Sequence, residues 1–211
     1  MGSRVNGNWA NLFKYLENFQ KLKYFKVVFD ELDDSYLENI TKFINKEVKD
    51  ISFEFNSYTP SRKEIKDFNR LKNLKSFDLR HNTEYIDDDE DIDKILKDLS
   101  ELQNLESLSV YKCLLTNFGL NCVLNLTEFD ITFSEIEDQE LIDFINKALK
   151  LKNLSLDCCH LITENLMKQA SEVKVRRKDS QILNIRIIAC NNFNKKNVPK
   201  SIELIKLIAI C

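Results

Sequence analysis

The chain has 211 residues, 31% of them charged and 43% hydrophobic, a globular balance that excludes a disordered chain or a membrane-embedded one. Its three glycines (Gly2, Gly7, Gly119) and two prolines (Pro60, Pro199) exclude glycine-rich phosphate loops, collagen and Pro- or Gly-rich tethers. The net charge of −3 hides an asymmetry: residues 1–146 hold 18 Lys/Arg against 29 Asp/Glu, and residues 147–211 hold 13 against 5.

The chain opens on a polar segment without the apolar run and cleavage site of a signal peptide. No stretch reaches the roughly 18 apolar residues of a membrane span, so no membrane association is expected. Residues 8–20 are predicted as a helix whose Trp9, Leu12, Phe13 and Leu16 cover the exposed end of a repeat stack, giving a 1–21 capping segment ahead of a 22–211 domain. From Leu22 onward the pattern L-x-x-L-x-L recurs eight times, beginning with Leu22-Phe25-Val27, Val48-Ile51-Phe53, Leu74-Phe77-Leu79 and Leu105-Leu108-Val110. It continues with Leu126-Phe129-Ile131, Leu151-Leu154-Leu156, Ile182-Ile185-Ile187 and Ile202-Ile205-Leu207. The first positions lie 26, 26, 31, 21, 25, 31 and 20 residues apart, and each match predicts a short strand.

Helices are predicted between these strands. They cover residues 35–44, a segment opened by a Ser61/Glu64 capping box, residues 91–102, 140–149 and 163–170. The short intervals 114–123 and 191–201 are expected to hold only a turn or one turn of 3₁₀ helix. The apolar segment 202–211 has no further element after it, so it either packs on something else or belongs to a longer chain.

A second column supports the pattern. Three residues past the last apolar position stand Asp30, Asn56, Asn82, Cys113, Ser134, Cys159, Cys190 and Ile210. A chain that turns inward there leaves buried main-chain groups unpaired, and small polar side chains or thiols satisfy them. Two residues further on, Leu32, Leu115, Ile136 and Leu161 restore apolar character. This register resembles leucine-rich repeats of the ribonuclease-inhibitor-like and cysteine-containing kinds. The stretch from Leu151 to Leu166, LKNLSLDCCHLITENL, is similar to repeats of F-box/leucine-rich-repeat proteins. The resemblance implies an α/β solenoid, a horseshoe with a parallel concave sheet of about eight strands and helices on the convex side. It also implies a role in protein–protein interaction. Residues 1–21 are too short to hold an F-box, so a ubiquitin-ligase adaptor role stands as an alternative.

In such a sheet the residues between the apolar ones point outward. Eight strands about 4.8 Å apart make a surface roughly 34 Å long, better suited to a protein partner than to a small molecule. The predicted partner-binding residues are Asp78, Arg80, His81, Ser109, Tyr111, Asp130, Thr132, Phe133 and Asp157. They supply the Tyr and Arg that anchor interfaces and an acidic centre for a basic partner segment. No catalytic residue and no cofactor are predicted: the two histidines, His81 and His160, have no convincing nucleophile beside them. Cys158-Cys159-His160 lacks the spaced ligand pairs of a zinc site, and residues 87–91 plus Asp93 lack the glycine of a calcium loop. The six cysteines are expected as reduced thiols of a cytoplasmic protein, with the nucleus as the alternative compartment. Lys174-Val-Arg-Arg-Lys178 with Lys195 and Lys196 is the one basic cluster. A nucleic-acid- or chromatin-associated role for this basic third is a further alternative, less favoured because no aromatic residues interleave.

Overall fold

A computed structural model describes residues 15, 19, 21–29, 44–56, 70–82, 95–113, 115–173, 183–198 and 205–210. The helix predicted over 8–20 (apart from Tyr15 and Phe19), Asp30, the helix over 35–43, the Ser61/Glu64 box, residues 87–91 and Lys174–Lys178 lie outside these residues.

Eight strands form one sheet: β1 (Tyr24–Phe29), β2 (Asp50–Phe55), β3 (Ser76–His81), β4 (Ser107–Tyr111), β5 (Glu128–Thr132), β6 (Asn153–Asp157), β7 (Leu183–Ile188) and β8 (Ile205–Ile210). Their spatial order is their chain order, and all seven pairings are parallel. Consecutive parallel strands need a crossover, which the intervals of 21–31 residues between paired positions provide. The architecture is α/β, with α1 (Asn117–Cys122), α2 (Asp138–Lys147), α3 (Glu164–Val173) and a helical segment over 95–99 among the described crossovers.

Burial alternates along the strands because side chains point to opposite faces every second residue. Phe25, Ile51, Phe77, Leu108, Phe129, Leu154 and Ile185 form one inward row across the sheet. Val27, Phe53, Leu79, Val110, Ile131, Leu156 and Ile187 form the next. Beyond the partly buried Phe25 and Val27 of β1, every member of both rows is at most 2% exposed. Each such side chain contributes about 2 kcal/mol. Helices cover this inner face. Leu141, Ile142, Phe144 and Ile145 of α2 recur at helical spacing, and Phe144 meets Phe129 edge-on at 5.4 Å. Leu166, Met167 and Ala170 do the same for α3. Successive helix starts are tied: Asp138 accepts both the Thr163 amide, at 2.9 Å, and the Thr163 hydroxyl.

Two hydrogen-bond patterns recur where the strands begin. The amide of the first apolar residue closes a turn onto the carbonyl three residues back, as in Val48→Asn45, Leu74→Leu71, Leu105→Leu102, Leu126→Val123 and Leu151→Ala148. One carbonyl then accepts two amides of the next unit: Lys23 O from Lys49 and Asp50, Lys49 O from Lys75 and Ser76, Glu106 O from Thr127 and Glu128. Asn45, Asn73 and Asn104 extend the pattern by donating Nδ2 to the carbonyls of Phe19, Lys46 and Lys72. The turn and its asparagines carry no hydrophobic periodicity, which is why spacing did not reveal them.

The structure corrects the sequence expectations at several points. Ile185 pairs with Leu207 and Ile187 with Ala209, so the eighth motif begins at Leu204, two residues later than Ile202. A shift of two keeps every residue on its face, so the apolar pattern could not distinguish the registers. Ile162 is buried and Leu161 is 44% exposed, because residues 160 and 161 make a turn that displaces the apolar position by one. Residues 117–122 form a short α-helix rather than a bare turn. The helix expected over 140–149 ends at Lys147, leaving Leu149 exposed.

Candidate functional site

The outward residues of the strands form rows on the open face of the sheet. Parallel register aligns Ser52, Asp78, Ser109, Asp130, Ser155 and Arg186 in one row. Glu54, Arg80, Tyr111, Thr132 and Asp157 lie in the neighbouring row. Seven of the nine predicted residues, Asp78, Arg80, Ser109, Tyr111, Asp130, Thr132 and Asp157, therefore sit on four adjacent strands. Phe133 follows Thr132, is 44% exposed, and meets Tyr111 edge-on at 5.4 Å between ring centroids. The Lys112 ammonium stands 5.9 Å from the Tyr111 centroid.

His81 is the exception. Its side chain is fully buried and stacks on Phe55 at 5.4 Å and 29°. β2 and β3 run one residue further than β4 to β6, so alternation sends Phe55 and His81 to the same side as Phe53 and Leu79. Neither His81 nitrogen has a hydrogen-bond partner among the described residues. Burial pushes its pKa down to about 4. His81 is thus part of the inner layer and leaves the candidate surface.

The later units close differently. Lys112, Phe133, Cys158 and Ala189 each take a positive φ of 50–54°, which ends the strand and turns the next residue inward. That residue is Cys113, Ser134, Cys159 or Cys190, each buried. Ser134 Oγ donates to Cys113 O at 3.0 Å, Cys159 Sγ to Ile131 O at 3.7 Å and Cys190 Sγ to Leu156 O at 3.9 Å. The predicted ladder exists in these four units. Asn56 and Asn82 are instead exposed and bonded to each other, Nδ2 of Asn82 to Oδ1 of Asn56 at 2.8 Å, because Phe55 and His81 fill the inward position. Burial pushes the Cys113 thiol up to about 12. The hydrogen bond to Cys190 and burial push the Cys159 thiol up as well, favouring the protonated form of both Cys113 and Cys159. The Cys158 thiol is pushed up to about 11 by burial and by its bond to Asp157.

Charge on the open face divides along the sheet. On β2 and β3 Glu54 and Asp78 are compensated: Lys26 pairs with Glu54 at 2.9 Å, Arg80 Nε with Asp78 at 2.9 Å, and Ser52 donates to Asp78 at 2.9 Å, while Asp50 at the start of β2 forms no ion pair among the described residues. The hydrogen bond and charge of Lys26 hold the Glu54 carboxyl below its ordinary value, and Asn82 adds a further bond. On β5 and β6 the pattern is broken. Glu128, Asp130 and Asp157 form no ion pair among the described residues, and Asp130 accepts no hydrogen bond there. Desolvation, with the negative charges of Glu128 and Asp78, raises the Asp130 carboxyl above its ordinary value, while Arg186 works the other way. Glu128 was absent from the predicted set; its spacing of two from Asp130 was the signal that places it on the same face.

Among the described residues no group of His, Cys, Asp and Glu is placed to hold a metal ion. None of their helices is long and apolar enough to cross a membrane. No family model matches the chain, and no curated protein matches it.

Proposed function

We propose that the chain is a leucine-rich-repeat solenoid acting as a non-catalytic protein-interaction module, with the open strand face as a rigid concave surface. The repeat reading is supported by sequential parallel strands whose paired residues lie 21–31 positions apart, a turn recurring before each of six strands, and an inward Cys/Ser ladder. The observation that carries the function is the alignment of Asp78, Ser109 and Asp130 beside Arg80, Tyr111, Thr132 and Asp157 on four contiguous strands. Those strands span roughly 14 Å, the scale of a peptide or a protein loop. Their backbones are paired on both sides, so the surface is preformed and little ordering cost attends binding.

The test is affinity capture from a cell extract with mass spectrometry, comparing the intact chain with an Arg80→Ala/Tyr111→Ala/Asp130→Ala variant. Gln139→Ala/Asp143→Ala, on α2, is the control. Loss of the same partner by the face variant alone is expected. A folded face variant that captures the partner as well as the intact chain moves the site elsewhere.

A further inference from the structure

Two halves of one sheet face share a fold and differ in whether their charges are answered. Asp78 and Glu54 on the earlier strands are neutralised by Arg80 and Lys26 within 2.9 Å. Glu128, Asp130 and Asp157 on β5 and β6 have no cation in contact among the described residues; Arg186 stands two strands from Asp130 in the same row. Asp130 and Glu128 share one face of β5, two residues apart, so their charges repel and a cation docked beside them relieves that repulsion. The same strands carry the Tyr111–Phe133 pair, Tyr111 half-buried and Phe133 exposed, and aromatic faces attract guanidinium groups. Lys112 already holds such a position against Tyr111, while Phe133 remains 44% exposed. Tyr111 and Asp157 are two strands apart in one row, about 9.6 Å, so neighbouring basic side chains of one segment reach both.

We propose that the open face of β4 to β6 docks an arginine-bearing segment of a partner protein, its guanidinium groups stacking on Tyr111 and Phe133 and pairing with Asp130 and Asp157. This rests on the interaction-surface role proposed above and supplies the chemistry of the partner. Arginine is preferred to lysine because its planar fork both stacks and binds carboxylate bidentately.

The test is fluorescence anisotropy of a labelled nonaarginine peptide titrated with the full chain at moderate salt. Saturable binding is expected, with nonalysine weaker. Asp130→Asn/Asp157→Asn, isosteric and checked for folding by circular dichroism, weakens it about tenfold. Phe133→Ser weakens it about threefold. Glu54→Gln, removing a carboxylate on β2 already answered by Lys26, changes it less than about twofold. Absence of saturable binding, indifference to the Asp130/Asp157 change, or an equal loss with Glu54→Gln overturns the proposal. If partner capture still depends on the face in that case, the interaction role survives and only the arginine assignment falls. If capture is also indifferent, both fall.

Discussion

The units that close at β2 and β3 and those that close at β4 to β7 solve one problem in two ways. After the last apolar position the chain must leave the sheet without stranding main-chain groups in the interior. In β2 and β3 the strand simply continues, and the extra inward residue is aromatic: Phe55 stacked on His81, with Phe53 edge-on to Phe77 at 5.7 Å. In the later units a non-glycine residue adopts left-handed φ, and a Cys or Ser turns in to bond main chain. The first solution gains apolar area and leaves a histidine without a hydrogen-bond partner among the described residues. The second satisfies carbonyls and places four non-glycine residues, one of them Phe133, in a region that costs about 1–2 kcal/mol each. The chain's scarcity of glycine is thus borne locally, at its strand ends.

The contrast can be broken most severely at Phe55. It is fully buried, and Phe55→Ala removes about 3–5 kcal/mol. Because β2 is paired with β1 and β3 and stands apart from β5 to β7 in the sheet, hydrogen exchange is expected to speed up in β2 and β3 before β5 to β7. Uniform loss of protection would show that the two halves unfold as one.

His81 comes next. Its folded pKa of about 4 lies below the ordinary value of 6.5, so between these values the unfolded chain binds a proton that the folded chain does not. Stability from this group is complete above pH 6.5 and is lost as pH falls toward 4, by about 3 kcal/mol at most. Urea unfolding at pH 7.5 and pH 5 is expected to show this loss in the intact chain. His81→Phe keeps the stack on Phe55, removes the unsatisfied nitrogens and flattens the pH dependence. An unchanged slope in that variant would assign the titration to another group.

The later units are sharpened by smaller changes. Ser134→Ala leaves the Cys113 carbonyl without its donor and is expected to cost about 1–2 kcal/mol in thermal or chemical unfolding. Ala189→Gly relieves a φ of 50° at an exposed position and is expected to stabilise by about 1 kcal/mol. The same glycine substitution at Arg80, inside β3, should destabilise instead.

The positions of all eight strands were legible because each carries apolar residues at a spacing of two within a longer recurring interval, and a strand needs nothing else to define its buried face. Seven of the nine surface residues followed from that alternation alone. His81 failed because a single residue's φ decides whether alternation continues or reverses. Nothing in the residue types marks the difference: the left-handed positions are Lys, Phe, Cys and Ala rather than Gly.

The sequence by itself determined which face the strand residues take up to the one that closes each strand, where the crossovers fall and how charge is distributed along the chain. Tertiary structure decided the register of β8, the inward turn of His81, and which carboxylates are answered. Each depends on a residue from another unit: Leu207 against Ile185, Phe55 under His81, and Lys26 on Glu54. Pairing across units joins residues 21–31 positions apart, and the residue types alone do not show which of them meet. Only the stacking of strands about 4.8 Å apart brings them into contact.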